Sequence, residues 1–418
     1  MTGWDIGAVR AAFPALALED DGRRRIYLDA PAGSQVPARV VERMRQSLID
    51  NCANDGGTFR TSAGSEHLMA LAHEACAALL GAASADEILF GLNTTSLLFH
   101  FARIVSRDWQ PGDEIVLTRM DHDGNVAPWL DAAEERGASV RWLDFDPETF
   151  EYRYDTLDGL IGRRTRFVAC NHASNLLGTI NDVARIVAAA KTVGAVTMVD
   201  AVQSAPHFPI DVQAIGCDML ACSAYKFFGP HAGVLYLGAE LRERLRPLKV
   251  RPSSWTMPWR FAPGTPAFET QAGTLGAIEH LAWLGTACGG ADAAAPLRTR
   301  IVAGLTAATA HEADLMRVFF DGVAGIPGFR IFGIADPNRL AARVPTFSFL
   351  LPGRRAPAIA AALGRRNIFS WSGNFYAWEV ARRLGFDEDG VNRIGIAHYN
   401  TEDEIRAFTD ELARLARG

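Results

Sequence analysis

Two residues near the middle of the chain carry the most specific chemistry. Asp200 ends the apolar run Val196-Thr-Met-Val199, and Lys226 follows the run Met219-Leu-Ala-Cys222 and precedes Phe227-Phe-Gly229. An amine and a carboxylate at the ends of two apolar runs match the needs of pyridoxal 5′-phosphate. That cofactor takes a lysine as its Schiff base and an acid beside its ring nitrogen. The acid keeps the pyridinium protonated, so the ring can absorb carbanion electrons.

Three further apolar runs end in groups compatible with the same cofactor. Asn93-Thr94-Thr95-Ser96 follows Glu87-Ile-Leu-Phe90 and opens the helical run Leu97-Leu-Phe-His-Phe-Ala-Arg103. Hydroxyls and free N–H groups at a helix N-terminus suit a phosphate, and the same residues also serve as plain N-caps. His122, after Glu114-Ile-Val-Leu117, is placed either to lie over an aromatic ring or to occupy a surface turn. Asn175, in His172-Ala-Ser-Asn175-Leu-Leu-Gly178 after Arg166–Cys170, can hydrogen-bond a phenolate oxygen or serve turn chemistry. Alone, each has an ordinary structural explanation. Together they supply phosphate ligands, a stacking imidazole, a phenolate donor, a carboxylate and an amine.

These groups must be positioned by the elements between them. From about residue 26 to 240, short apolar runs alternate with helical patterns, among them 128–137 and 182–194. That alternation predicts an α/β fold with a mostly parallel sheet. Ligands in such sheets bind beyond the carboxyl ends of the strands, where all five groups fall. The length of 418 residues accommodates two domains. The expected division is an N-terminal arm over 1–25, a large domain over 26–285 and a smaller C-terminal α/β domain over 286–418, with some N-terminal residues packing on the last. The Pro- and Trp-rich stretch 251–266 reads as a loop, and Trp255 to Phe261 is a candidate wall for a bulky substrate. A helical tract over 272–320 breaks near Gly289-Gly290, and strand 346–351 and helices 356–365 and 401–417 follow.

The composition is 49% hydrophobic and 22% charged, with a net charge of −6. This gives no reason to expect nucleic acid or an anionic membrane as a partner. No apolar run approaches the ~20 residues of a membrane span, and the N-terminus lacks a signal-peptide layout. The six cysteines show no metal-ligand spacing and read as reduced thiols of a cytoplasmic protein.

The motifs His172-Ala-Ser-Asn-Leu-Leu-Gly-Thr-Ile-Asn181, Val199-Asp-Ala-Val-Gln-Ser-Ala-Pro-His207 and Cys222-Ser-Ala-Tyr-Lys226 resemble those of class V aminotransferases. Within these fold-type I pyridoxal-phosphate enzymes, the chain is most similar to the cysteine desulfurase and selenocysteine lyase branch, from Tyr27-Leu-Asp-Ala-Pro to Tyr399-Asn-Thr-Glu-Asp. The resemblance implies that Lys226 is the aldimine lysine and moves the α-proton. It also implies that Asp200 pairs with the ring nitrogen, that Gln203 and Asn175 bond the ring oxygen, and that His122 stacks on the ring. Thr94, Thr95 and Ser223 would hold the phosphate, and Arg393 would fork onto the substrate carboxylate, a geometry that suits guanidinium. A homodimer with shared active sites is implied, in which Thr270 or Thr274 completes the phosphate cup across the interface.

Three departures bear on the reaction. The histidine that precedes the lysine in the family is Tyr225 here, whose phenol can still donate to phosphate. The family's Asp-Asn-Ala-Ala is Asp29-Ala-Pro-Ala32. On the loop Ser372-Gly-Asn-Phe-Tyr376-Ala-Trp378, Tyr376 stands where a desulfurase carries its thiol, and the last cysteine in the chain is Cys288. Sulfur transfer needs an ionisable thiolate, which a phenol of pKa ~10 does not supply. Tyr376 either packs the loop or directs its hydroxyl at substrate. The expected reaction is therefore β-elimination from an amino acid through a quinonoid carbanion, of the carbon–sulfur lyase type. Epimerisation and transamination are the alternatives within the family, and a catalytically silent accessory protein is the alternative outside it.

Overall fold

The computed structural model describes residues 3–386 and 388–417. A seven-stranded sheet is built from β1 (Ile88–Gly91), β2 (Glu114–Thr118), β3 (Ser139–Leu143), β4 (Thr165–Asn171), β5 (Val196–Asp200), β6 (Met219–Ser223) and β7 (Gly233–Leu237). Its spatial order is β1-β7-β6-β5-β4-β2-β3. Only β7 runs against its neighbours, pairing antiparallel with β6 and β1. The remaining pairs are parallel, with Asn171 level with Asp200 and Asp200 level with Ala221.

Both faces of this sheet are buried, so its strands read as continuous apolar runs rather than alternating ones. Ile115, Leu117, Phe167, Met198 and Leu235 pack on one side with Phe101 and Trp129. Val116, Val168, Val199, Leu220 and Val234 pack on the other with Leu79, Ile278 and Leu281. Each such side chain contributes about 1.5–3 kcal/mol relative to exposure. The connecting helices include Thr94–Val105, Ala127–Arg136 and Val183–Lys191.

The C-terminal part carries an antiparallel sheet of β8 (Arg330–Phe332), β9 (Thr346–Leu350), β10 (Trp371–Gly373) and β11 (Val391–Gly395), in the order β8-β9-β11-β10. Phe319, Phe347, Phe349, Phe408 and Leu412 form its core. The helical tract is two helices, Phe268–Ala287 and Leu297–Val323. The second contributes Ile301 and Leu305 to the core of the large sheet and Phe319 to that of the small one, so it bridges the two. The N-terminal segment is not a plain arm. It forms a helix at Ile6–Ala11 and a two-stranded ribbon of Glu19–Asp20 and Arg23–Arg24, and Ile26–Tyr27 pairs in parallel with Ile368–Phe369. No helix among the described residues is long and apolar enough to cross a membrane.

Candidate active site

The carboxyl ends of β4, β5 and β6 open into a cavity of about 410 Å³, closed on the far side by the C-terminal sheet. The side chains of Thr94, Thr95, His122, Asn175, Asp200, Gln203, Ser223, Tyr225, Lys226, Tyr376 and Arg393 all line it.

At one end, Asn93 caps the helix Thr94–Val105, its Oδ1 accepting from Ser96 N at 2.8 Å. Thr94 Oγ1 lies 2.7 Å from Ser223 Oγ and 2.9 Å from the Cys222 carbonyl. Two hydroxyls thus converge at a positive helix terminus. At the base, Asp200 accepts from Val202 N at 2.8 Å, and burial raises its pKa to about 6 against the opposing pull of Lys226. A cationic partner at this carboxylate would restore its charge.

His122 accepts through Nδ1 from Gly124 N at 2.9 Å, which leaves the ring proton on Nε2. Burial, with Lys226 and Arg393 nearby, lowers its pKa to about 4, so the ring is neutral. Gly124 lets Thr95 and His122 close in on the backbone: a Cβ there would fall 2.8 Å from Thr95 Oγ1 and 3.0 Å from His122 Nδ1.

Lys226 Nζ donates to the carbonyls of Pro31 and, at 3.0 Å, Ala32. Burial and the Arg393 charge lower its pKa to about 7. Gln203 Nε2 also donates to the Pro31 carbonyl, at 3.0 Å. Asn175 donates from Nδ2 to the Phe375 carbonyl at 2.8 Å, while its Oδ1 is buried without a partner. Both amides therefore hold backbone groups around the cavity. Arg393 donates to the Asn175 carbonyl at 2.9 Å and lies under the Phe375 ring. Tyr225 stacks on His231 and lies beneath the Lys226 amine. The Tyr376 ring is 5.4 Å from His122, and the residue is 72% exposed.

The expected aromatic wall is absent from this cavity, and several of its lining residues were not singled out. No residue from Trp255 to Phe261 lines the cavity; Phe261 instead packs on Phe101. Thr274 is buried within its helix and donates to the Thr270 carbonyl, whereas Thr270 lies in the first turn and is half-buried. Trp371, Phe375 and Asn171 line the cavity unanticipated. Asp29 stands behind Arg393, with its Oδ1 buried and unpartnered and its pKa raised by burial. The signal for it was the motif Asp29-Ala-Pro-Ala32, read for its departure from the family pattern and not for its aspartate. Asn171 belongs to a buried chain in which Tyr152 donates to it, Thr118 lies 2.6 Å from the Tyr152 hydroxyl, and Asp121 accepts from Thr118.

The residues fit pyridoxal phosphate on three observations. Paired hydroxyls sit at a helix N-terminus, a buried carboxylate has spare acceptor capacity, and the neutral imidazole of His122 lines the cavity between them and its mouth.

Comparison with known proteins agrees. A cysteine desulfurase from Pectobacterium carotovorum subsp. carotovorum is 31% identical, covering 99% of this chain and 98% of the relative. An aminotransferase-like protein from Gibberella zeae is 31% identical, covering 97% and 96%. The cysteine desulfurase CsdA of Escherichia coli superposes with a TM-score of 0.82 at 28% identity, over 98% of both chains. A model of the family "Aminotransferase class-V" matches residues 26–408. With the sheet order and the converging lysine, aspartate and hydroxyls, these matches lead to one assignment: the chain belongs to the class-V aminotransferase family of fold-type I enzymes, whose cofactor is pyridoxal 5′-phosphate.

Proposed function

We propose that the chain is a lyase that cleaves a leaving group from the β-carbon of an amino acid, acting on the carbon–sulfur bond of a larger cysteine conjugate without forming a persulfide. The observation that carries this reading is the loop at the cavity mouth. Tyr376 faces His122 there, and none of the six cysteines lines the cavity. A phenol cannot take up sulfur as a thiolate does. The relatives named cysteine desulfurases support a sulfur-containing amino acid as substrate.

Thr94, Thr95, Ser223 and Tyr225 would hold the phosphate, Asp200 the ring nitrogen, Gln203 and Asn175 the ring oxygen, and His122 one ring face. When bound, the cofactor supplies a ring that accepts the electron pair left at the α-carbon. Arg393 binds the substrate carboxylate and fixes the α-carbon near Lys226. With a pKa near 7, Lys226 is partly neutral at physiological pH and takes the α-proton as a general base. The Cβ–S bond breaks with its electron pair leaving on sulfur as a thiolate. Hydrolysis of the remaining fragment gives a keto acid and ammonia.

The same reading takes the enzyme to be a homodimer in a reducing, cytoplasmic setting. Leu92, Ile49 and Phe59 are exposed on the single chain, as a subunit contact requires, and five of the six free thiols are buried. Thr270 is then the residue to reach the neighbouring phosphate site.

Incubating the holoenzyme with a panel of β-substituted amino acids tests the reaction. Release of keto acid and free thiol supports it. No keto acid from any member, alongside α-proton exchange or amino transfer, contradicts it.

A further inference from the structure

We infer that Trp371, Phe375 and Tyr376 form an aryl subsite at the cavity mouth, and that the substrate is an amino acid whose side chain ends in a flat apolar ring. This rests on the amino-acid substrate proposed above, with its carboxylate at Arg393.

All three rings line the cavity. Trp371 on β10 is paired across the strands with Arg393 on β11. The Phe375 ring centroid lies 3.9 Å from the Arg393 guanidinium carbon. The Tyr376 ring tilts 32° to that of His122. Arg393, the imidazole and the three rings thus lie together at the cavity mouth.

The backbone that presents these rings is strained. Phe375 and Tyr376 are consecutive non-glycine residues in the left-handed region, at φ +56° and +57°. Such residues persist only where their surroundings hold them. Here both carbonyls are tied to loops of the large sheet: Asn175 Nδ2 donates to Phe375, and Asp123 N donates to Tyr376 at 2.7 Å. Asn374 Oδ1 accepts from Tyr376 N at 3.0 Å and tightens the turn. On the single chain Tyr376 is 72% and Trp371 55% exposed, whereas Phe375 is half-buried against the core.

The opposite end of the cavity ends in buried Asp200, Thr94 and Ser223. A substrate held by Arg393, with its α-carbon at Lys226, therefore sends its side chain out past Trp371 and Tyr376. A terminal ring meets two rings there in offset or edge-on contact, whereas a methyl group meets neither.

The test is equilibrium binding to the holoenzyme, by calorimetry, of S-benzylcysteine analogues blocked against reaction by an α-methyl group, compared with the S-methyl analogue. The expected result is roughly tenfold tighter binding of the benzyl compound, with the ratio falling to within about twofold in Tyr376→Gly and in Trp371→Leu. Glycine tolerates the left-handed backbone at 376, and the second variant leaves that turn untouched. Equal binding of the two compounds to the native enzyme, no binding of either, or a ratio preserved in both variants overturns the subsite. A strong benzyl preference with no keto acid from any unblocked conjugate would leave the subsite standing and remove the elimination reading.

Discussion

Asn175, on the loop after β4, donates from Nδ2 to the carbonyl of Phe375 at 2.8 Å and so fastens the small sheet's aromatic loop to the large sheet. Asn175→Ala removes this partly buried bond and is expected to cost about 1 kcal/mol of stability. The strained turn at 375–376 should open more often. Hydrogen exchange at residues 373–377 should quicken, with the seven-stranded sheet unchanged. Unaltered exchange in the loop would show that other contacts hold the turn.

Lys226→Ala should abolish the covalent link to pyridoxal phosphate. After borohydride reduction, the intact mass of the native protein should rise by one cofactor and that of the variant should not. Capture of the cofactor by apo-protein requires the neutral amine. Since the Lys226 pKa is lowered to about 7, the capture rate should climb between pH 6 and 8. A climb delayed until pH 10 would mean that the amine is not depressed.

Gly178 sits at φ +73° where the loop after β4 meets the small sheet. A Cβ would fall 2.6 Å from the Thr346 carbonyl and 3.1 Å from Arg343 Nη2. Gly178→Ala should destabilise the fold by more than about 2 kcal/mol, combining backbone strain with the clash. The midpoint of denaturant unfolding reads this directly.

His280 and His398 lie with their Nε2 atoms 3.0 Å apart in the core. Burial lowers His280 to about 3 from an ordinary 6.5, and burial with neighbouring histidines lowers His398. A depressed histidine contributes stability that is complete above pH 6.5 and is lost as pH falls toward 3, because the unfolded chain takes the proton first. His280→Gln removes one such term. Between pH 6 and 4 its stability relative to the native protein should improve by about 1.4 kcal/mol per pH unit. A difference that does not change with pH would place the histidine's charge elsewhere.

The place of the cavity was readable in the chain because Thr94, His122, Asn175, Asp200 and Lys226 each end or follow a buried apolar strand, whereas Arg393 lies inside β11. β4 and β5 carry their ends into the cavity at Asn171 and Asp200, so a strand-end rule finds the place. Strand direction was less legible: Gly233–Leu237 is as apolar as its neighbours, and nothing in its pattern marks it as the antiparallel strand. The contribution of Phe375 and Trp371 was hidden for a different reason. Their rings reach the cavity through a left-handed turn without glycine and through cross-strand pairing with Arg393, both consequences of tertiary contact. Trp255 to Phe261 had the composition of a substrate wall, but Phe261 finds Phe101 instead.

The proposed function requires elimination at the β-carbon by Lys226 without sulfur transfer to the protein. It is tested most directly by measuring keto acid, ammonia and thiol released from S-benzylcysteine by the holoenzyme, together with the intact mass of the protein during turnover. Elimination should yield the three products in equal amounts, none of them with Lys226→Ala, and no sulfur added to the chain. Alanine as product with a benzylthio group added to the protein, or no keto acid at all, would contradict it.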